Sequence, residues 1–352
     1  MNKKLLAIAI SAAVMAPLAA NANDNVIYGK MHFSWDYVDT NNVGGVDASD
    51  DVTGVAKSSR IGFKGSEDLG DGMSAVWQVE GAVPNATFSN RNTFVGLAGG
   101  FGTVLMGRHD TPYKISTGSL DIFGDTIADY NSIIGQTNNA AGTANVNAFD
   151  LRVGQTVAYI TPNLNGFTGA IARVSTKNPE ASGNDEQAAW SLAGMYSNGP
   201  LFASLAYEKH SGAAAGNSTT TQNEKAWKLG LGYSFGDGKI GFIYEDISHE
   251  ASNSRAERNA WLVNYAHTFG NNVFKIAYGV AGDSDVAGAN DGADNLSLGL
   301  EHKFSKRTSI YGIYTAMDND AGANYGFNTA AGYAAVTGRN VDALSFGIVH
   351  TF

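Results

Sequence analysis

From the third decade of residues onward, hydrophobic and polar side chains take turns. Trp227, Leu229, Leu231, Tyr233 and Phe235 are separated by Lys228, Gly230, Gly232 and Ser234. Leu296, Leu298, Leu300 and Phe304 alternate with Ser297, Gly299, Glu301 and Lys303. Ile27, Met31, Phe33, Trp35 and Tyr37 alternate with Lys30, His32, Ser34 and Asp36. The closing stretch LSFGIVHTF sets Leu344, Phe346, Ile348, His350 and Phe352 against Ser345, Gly347, Val349 and Thr351. A period of two is the signature of a β-strand, and no comparable stretch holds a helical period.

The connections sort into two classes. Tight ones occur at Leu69-Gly70-Asp71-Gly72, Gly99-Gly100, Asn163-Leu164-Asn165-Gly166, Asn198-Gly199-Pro200, Gly236-Asp237-Gly238, Gly270-Asn271-Asn272 and Ser305-Lys306. Gly, Asn and Asp tolerate the positive φ that close hairpins require. Long polar ones fall at about 39–56, 84–90, 110–149, 177–186, 211–223, 250–257, 282–293 and 318–340. The classes alternate, so seven short turns and eight long loops join sixteen strands, with both chain ends on the short-turn side. A soluble sandwich gives no reason for such alternation. A transmembrane antiparallel up-and-down β-barrel does, with an even strand count, short periplasmic turns and long external loops. The fold class expected is therefore all-β.

Composition fits that reading. Charged residues make up 16% of the chain, against about 25% in ordinary globular proteins, yet mean hydropathy is only −0.15. An inside-out barrel explains both, because its apolar side faces lipid and its polar side encloses water. The 15 Tyr, 17 Phe and 5 Trp exclude a disordered, low-complexity reading of the 43 glycines. Tyr37, Trp190, Trp261, Tyr265, Phe269 and Phe304 are candidates for interfacial girdles. Cysteine is absent, which removes disulfides, thiolate metal sites and cysteine nucleophiles.

The first 22 residues, MNKKLLAIAISAAVMAPLAANA, have a basic start, an apolar stretch and an Ala20-Asn21-Ala22 close. That is a secretory signal with cleavage expected after Ala22, leaving 23–352 as one barrel domain. No later run approaches 18 apolar residues. Loss of Lys3 and Lys4 takes the formal net charge from −10 to −12, so a nucleic-acid partner is not expected.

Several short motifs, in order, now carry a resemblance. They are Tyr28-Gly29-Lys30, Ser59-Arg60-Ile61-Gly62-Phe63-Lys64-Gly65, Glu67-Asp68-Leu69-Gly70-Asp71-Gly72 and Arg91-Asn92-Thr93-Phe94-Val95-Gly96-Leu97. Phe101-Gly102-Thr103-Val104, Gly107-Arg108, Tyr159-Ile160-Thr161-Pro162, Gly166-Phe167 and the terminal Phe352 follow. Together they resemble the general diffusion porins of the Gram-negative outer membrane. The resemblance implies a homotrimer in outer-membrane lipid that passes small polar solutes and ions. It also implies that the third loop folds into the lumen, with Phe123-Gly124-Asp125-Thr126 at its turn. Asp121, Asp125 and Asp129 would then face a basic wall of Lys30, Arg60, Arg91, Arg108 and Arg152.

Parity tests that wall independently. Arg60 shares its side with Lys64 and is out of phase with Ile61 and Phe63; Lys30 is out of phase with Met31 and Phe33, and Arg152 with Leu151 and Val153. These point inward, which avoids the roughly 2–4 kcal/mol cost of an Arg facing lipid at mid-membrane. Arg91 shares parity with Val95 and Leu97, and Arg108 with Val104 and Met106, so both rest on the resemblance. The negative net charge suggests mild cation preference; the basic cluster leaves the sign at the constriction open.

Other signals are weaker. Gly230-Leu231-Gly232 with Gly236 has the wrong spacing for a nucleotide loop, and no helix pattern follows. Asp283, Asp285, Asp291 and Asp294 lack the order and closing Glu of a calcium loop. The seven His show no metal spacing, and no nucleophile elbow, HExxH or paired carboxylate appears. No cofactor, metal or catalytic residue is expected. Rival readings are a substrate-specific porin and an adhesin or structural barrel with a blocked lumen.

Overall fold

The computed structural model describes residues 25–40, 51–83, 88–137, 146–147, 149–175, 188–211, 223–249, 257–285, 287–327 and 337–352. The expected leader, residues 1–22, lies outside them. Sixteen strands among the described residues form one closed antiparallel barrel. They are β1 (Asn25–Thr40), β2 in two segments (Asp51–Ala56 and Arg60–Gly70), β3 (Met73–Ala82), β4 (Phe88–Gly99) and β5 (Gly102–Asp110). Next come β6 (Arg152–Ile160), β7 (Phe167–Ser175), β8 (Ala188–Asn198), β9 (Leu201–Ser211), β10 (Glu224–Phe235) and β11 (Gly238–His249). The last are β12 (Arg258–Phe269), β13 (Asn272–Ala281), β14 (Ala293–Lys303), β15 (Thr308–Asn319) and β16 (Val341–Thr351).

Every strand pairs with its neighbours in sequence, and β16 closes the ring on β1 from Lys30↔Thr351 to Thr40↔Val341. Closure removes the unpaired edge that lipid could not satisfy. The seam ends where Gly29 N–H donates to Phe352 O at 3.0 Å and Phe352 N–H to Gly29 O at 3.1 Å. The Phe352 ring lies over Gly29, where an added Cβ would sit 2.2 Å from it.

The tight turns lie where Gly and Asn marked them; Gly236 and Gly270 take φ of 55° and 59°. Two long connections are shorter than the composition suggested. β1 runs to Thr40 and β2 begins at Asp51, while β4 begins at Phe88. Hydrogen-bond pairing, not hydrophobicity, carries these strands past their alternating stretches.

Parity sorts the two faces. Trp35 is 66% exposed and Phe346 64%, on the outer side, while His32, Ser34 and Asp36, which alternate with Phe33 and Trp35 along β1, are buried. One expectation needs correction: the inward side is not uniformly polar. From β8 to β16 it carries Ala193, Ala206, Ala226, Ile243, Leu262, Ala277, Ile313, Met317 and Ala343, all buried. The cause is the third long loop, whose described residues 111–137 and 149–150 pack inside the barrel. Its Leu120, Phe123, Ile127, Ile133 and Ile134 form one apolar cluster with Ile243, Leu262, Ala277, Ile313, Met317 and Ala343, and its Tyr113 and Phe149 form a second with Ala193, Ala206 and Ala226. Gly230 and Gly232 are seats in the first, because a Cβ at either would fall 2.9 or 2.8 Å from a Leu120 methyl group.

Candidate functional site

The third loop begins with α1 (Pro112–Gly118), whose start is set by Pro112 and by Thr111, the Oγ1 of which accepts Lys114 N–H. A run of tight turns follows, then a 3₁₀ turn over Tyr130–Ser132. The barrel wall satisfies the loop's backbone at several points. Asn264 Nδ2 donates to Leu120 O at 2.8 Å, Lys239 Nζ to Ser119 O at 2.6 Å and Arg258 Nη2 to Ile133 O at 2.8 Å. Tyr113 N–H donates to Ser191 Oγ at 2.9 Å.

Charges under the loop are fully buried and paired. Lys228 meets Asp150, and both side chains are 0% exposed. The Lys228 ammonium also lies 4.1 Å from the centroid of the Tyr113 ring. Glu245 accepts from Tyr113 Oη at 3.0 Å and from Gly135 N–H at 2.8 Å, with Arg258 at 3.6 Å. Sequence reasoning missed these anchors. Their signal was parity: Lys228 and Glu245 alternate with outward aromatic residues on β10 and β11.

The loop's tip reaches the opposite wall. Asp125, at φ 65°, accepts from Lys30 Nζ at 2.8 Å and Arg60 Nη1 at 2.9 Å. Burial alone would push its carboxyl up, but Arg60 and Lys30 outweigh that and hold it far below the usual range. Asp121 and Asp129 do something else. Asp121 accepts Phe123 N–H at 2.9 Å and Tyr130 N–H at 3.4 Å. Asp129 accepts Asp125 N–H at 3.0 Å and Asn131 N–H at 2.9 Å. Both brace the loop's own backbone, so the expectation that all three carboxylates confront the basic wall is corrected to Asp125. Burial raises both carboxyls, and Asp129 raises Asp121 further.

Along β1–β6 the wall cations are tethered by neighbours. Glu80 accepts from Arg91 Nε and from Tyr28 Oη, the latter at 2.8 Å. Lys64 lies over the Tyr28 ring at 5.3 Å. Arg152 meets Asp110 at 3.0 Å and Asn92 Oδ1 at 2.9 Å. Arg108 donates to Arg152 O at 3.2 Å, and Lys114 Nζ to Asp150 O at 2.7 Å. Glu80 and Asp110 were not foreseen, although Glu80 is out of phase with Trp77 and Val79.

Bulges explain the two arginines whose parity pointed outward. The β3–β4 register shifts between Val79 and Gly81, which inserts extra β4 residues before Thr93 and turns Arg91 to Glu80. The β5–β6 register shifts between Gly107 and His109, and Gly107, next to Arg108, takes φ 142°. A bulge re-aims a side chain without ending the strand.

The external aspartates spend their oxygens on loop backbone, Asp285 on that of a neighbouring loop. Asp283 accepts Gly292 N–H at 2.8 Å, Asp285 accepts Glu257 N–H at 2.9 Å and Asp291 accepts Ser284 N–H at 2.7 Å.

Residues 9–322 match the family described as Gram-negative porin. Outer membrane porin protein 32 of Delftia acidovorans is 28% identical over 364 aligned positions, covering 100% of both chains. Major outer membrane protein P.IB of Neisseria meningitidis serogroup B is 29% identical over 354 positions, covering 94% of this chain and 98% of that one. An anion-selective porin from Comamonas acidovorans shares the fold at TM-score 0.77 and 23% identity, over 94% of this chain and 100% of that one. A trimer form of OmpT from Vibrio cholerae does so at TM-score 0.65 and 18% identity, over 94% and 100%.

Proposed function

This chain belongs to the Gram-negative porin family, and we propose that its lumen is narrowed to an anion-preferring passage between the third loop and β1–β6. The protein is an outer-membrane channel for passive diffusion of solutes and ions. One observation carries the finer reading: the loop tip bridges through Asp125 to Lys30 and Arg60. On this reading the passage runs beside Lys64, Arg91, Arg108 and Arg152.

There the six wall cations outnumber the carboxylates Glu80, Asp110 and Asp125 that pair with them. A ring of one sign biases which ion enters. The formal net charge of −12 after leader removal argues the other way, but exposed charges beyond a Debye length of about 8–10 Å are screened, whereas the narrow zone is not. The anion selectivity of the Comamonas relative supports the same sign. The field between the wall and Asp125 would also orient dipolar solutes and disfavour apolar ones.

Planar bilayers with a potassium chloride gradient test this. Ohmic steps with a reversal potential of anionic sign are expected; a cationic sign sinks the anion-preferring constriction. The functional unit is a homotrimer, supported by the family resemblance and by the trimer form of OmpT. It predicts conductance steps in threes and a single crosslinked trimer in detergent. Cleavage after Ala22 predicts a mature amino terminus at Asn23, read by intact mass. No turnover of the solute is part of this reading.

A further inference from the structure

A cavity of about 160 Å³ lies between Phe123 and Gly124 at the third loop's tip and the inner faces of β13, β14 and β15. Lys30 on β1 borders it as well. Arg60, Arg91, Arg108 and Arg152 have no part in its lining, so this space is separate from the passage beside β2–β6. One water needs roughly 10–15 Å³ of such space, so a solute of several heavy atoms fits.

The wall residues sit at the short-turn ends of their strands. Lys275 is the fourth residue of β13, Glu301 the third from the end of β14 and Ser309 the second of β15. Short turns face the periplasm in such a barrel, which puts the cavity on the periplasmic side of the loop. Two bare backbone positions shape it. Phe123 is seated on Gly299, where an added Cβ would fall 2.7 Å from the ring, and Tyr311 on Gly347, where it would fall 2.3 Å from the ring. Tyr311 Oη meets His32 Nε2 at 2.8 Å, which fixes that ring in turn.

Lys275 and Glu301 border the cavity as an ion pair at 2.9 Å. They are diagonal neighbours across the β13–β14 ladder, where Val273 opposes Glu301 and Lys275 opposes Gly299. Lys228 and Glu245 hold groups of the loop. By contrast, Lys275 meets the loop at the Phe123 ring, 5.9 Å from its Nζ. The two side chains keep 22% and 18% exposure, so water reaches both charges. A pair this exposed contributes about 1 kcal/mol or less to stability, so folding gives little reason for it.

The lining favours a ligand of both signs. A plain anion would meet Glu301, and a plain cation would meet Lys275 and Lys30. A molecule whose two charges are one carbon apart can lie antiparallel beside the pair and satisfy both. Lys30 spends one of its three donors on Asp125 at 2.8 Å.

We propose that this cavity is a subsite for a free α-amino acid, with Lys275 and Lys30 on its carboxylate and Glu301 on its ammonium group. Charge-assisted bonds of this kind are the stronger class. The seated rings of Phe123 and Tyr311 limit the ligand's side chain to a small one. The channel thereby gains a saturable station beside its open passage. This inference rests on the channel reading and is independent of the sign of its ion selectivity.

Saturation-transfer NMR of L-alanine with the detergent-folded protein tests it. A saturable signal is expected. Acetate, methylammonium and ε-aminocaproate, whose charges are too far apart to lie beside the pair, should each need at least tenfold higher concentration to displace alanine. Lys275→Gln with Glu301→Gln removes both charges at similar side-chain size, and alanine binding should fall tenfold or more. Glu301→Gln alone should let acetate compete as well as alanine does. Heat-modifiable migration shows that the variants fold. No saturable signal, undiminished binding in the double variant, or no gain for acetate in Glu301→Gln overturns the proposal. So does equal competition by acetate in the unmodified protein, which would mean a plain anion site, or by methylammonium or ε-aminocaproate. Failure of alanine binding with ohmic steps intact leaves the channel reading standing, whereas absence of those steps counts against it.

Discussion

The two arcs of the lumen wall obey the same parity and end with opposite chemistry. On β1–β6, inward positions hold Lys30, Arg60 and Arg152, whose side chains keep 15–23% exposure and form pairs that border water. On β8–β16, many inward positions hold Ala, Ile, Leu and Gly; of the charges among them, Lys228 and Glu245 under the loop are 0% exposed, while the Lys275–Glu301 pair on β13 and β14 keeps 22% and 18%. The difference lies in what each arc faces. Water selects ionic side chains on one arc, and a folded loop selects small and apolar ones on the other. The lesson is that "inward" in a barrel specifies a direction, and the occupant of the lumen specifies the residue.

The comparison predicts that the same type of change costs more under the loop than beside the water. Lys228→Met should have the largest effect. It strands the Asp150 carboxylate with Asn131 Nδ2, which donates to it at 3.0 Å, and unpairing one member of a buried pair costs about 3–5 kcal/mol. The barrel ladder is untouched, so the loop loosens while the barrel stays heat-modifiable. Protease cleavage within 111–150 and flickering, raised conductance are the expected readouts. A quiet trace at parental conductance would break the contrast between the arcs.

Leu120→Ala comes next. Its side chain fills the seat over Gly230 and Gly232 and is 0% exposed. A cavity of this kind costs about 2–4 kcal/mol, with milder channel noise than Lys228→Met. Gly230→Leu should expel the same side chain from the wall side and give a similar trace.

Arg60→Ala falls below these. The pair with Asp125 is partly exposed, and Lys30 still holds the same carboxylate, so its loss costs about 1 kcal/mol or less. Its signature is electrical: the reversal potential should move toward cations with the open-channel noise unchanged. A noisy channel with unaltered selectivity would place Arg60 among the loop's anchors and erase the distinction.

How much of this was legible follows from the same physics. Strand number, turn positions and the inward direction of Lys30, Arg60 and Arg152 come from period two and from Gly, Asn and Asp at tight turns. Arg91 and Arg108 escaped because bulges at Val79/Gly81 and Gly107/His109 break the period. The loop's seat left a trace in β11, where Ile240, Phe242, Ile243 and Tyr244 lose alternation. Strands buried on both faces read this way. Without the loop's path, such a run does not say what covers it. Nor does sequence tell a carboxylate that confronts a wall from one that caps a turn, since Asp121, Asp125 and Asp129 share spacing and type.

That last distinction makes the smallest prediction, and its sign separates the loop's two ends. Asp125 has a depressed pKa, so its contribution is present above the ordinary carboxylate range and is lost only as pH falls through the depressed value. Asp121 has a raised pKa, from burial and then from Asp129. Its contribution is complete below the ordinary carboxylate range and is lost as pH rises through the raised value. The loop should therefore stay seated in mild acid and loosen on the alkaline side, seen as open-channel noise that grows as pH rises from the ordinary carboxylate range through the raised value. Asp121→Asn keeps Oδ1 as acceptor for Phe123 N–H, gives up the 3.4 Å bond from Tyr130 N–H to Oδ2 and removes the charge. Because an ordinary hydrogen bond contributes about 1 kcal/mol net and the Phe123 bond survives, the noise at low pH should match the parent. The alkaline rise should flatten. Noise that instead grew toward acid, and did so equally in Asp121→Asn, would mean that the Asp125 bridge is the weak end of the loop and the apolar seat the strong one.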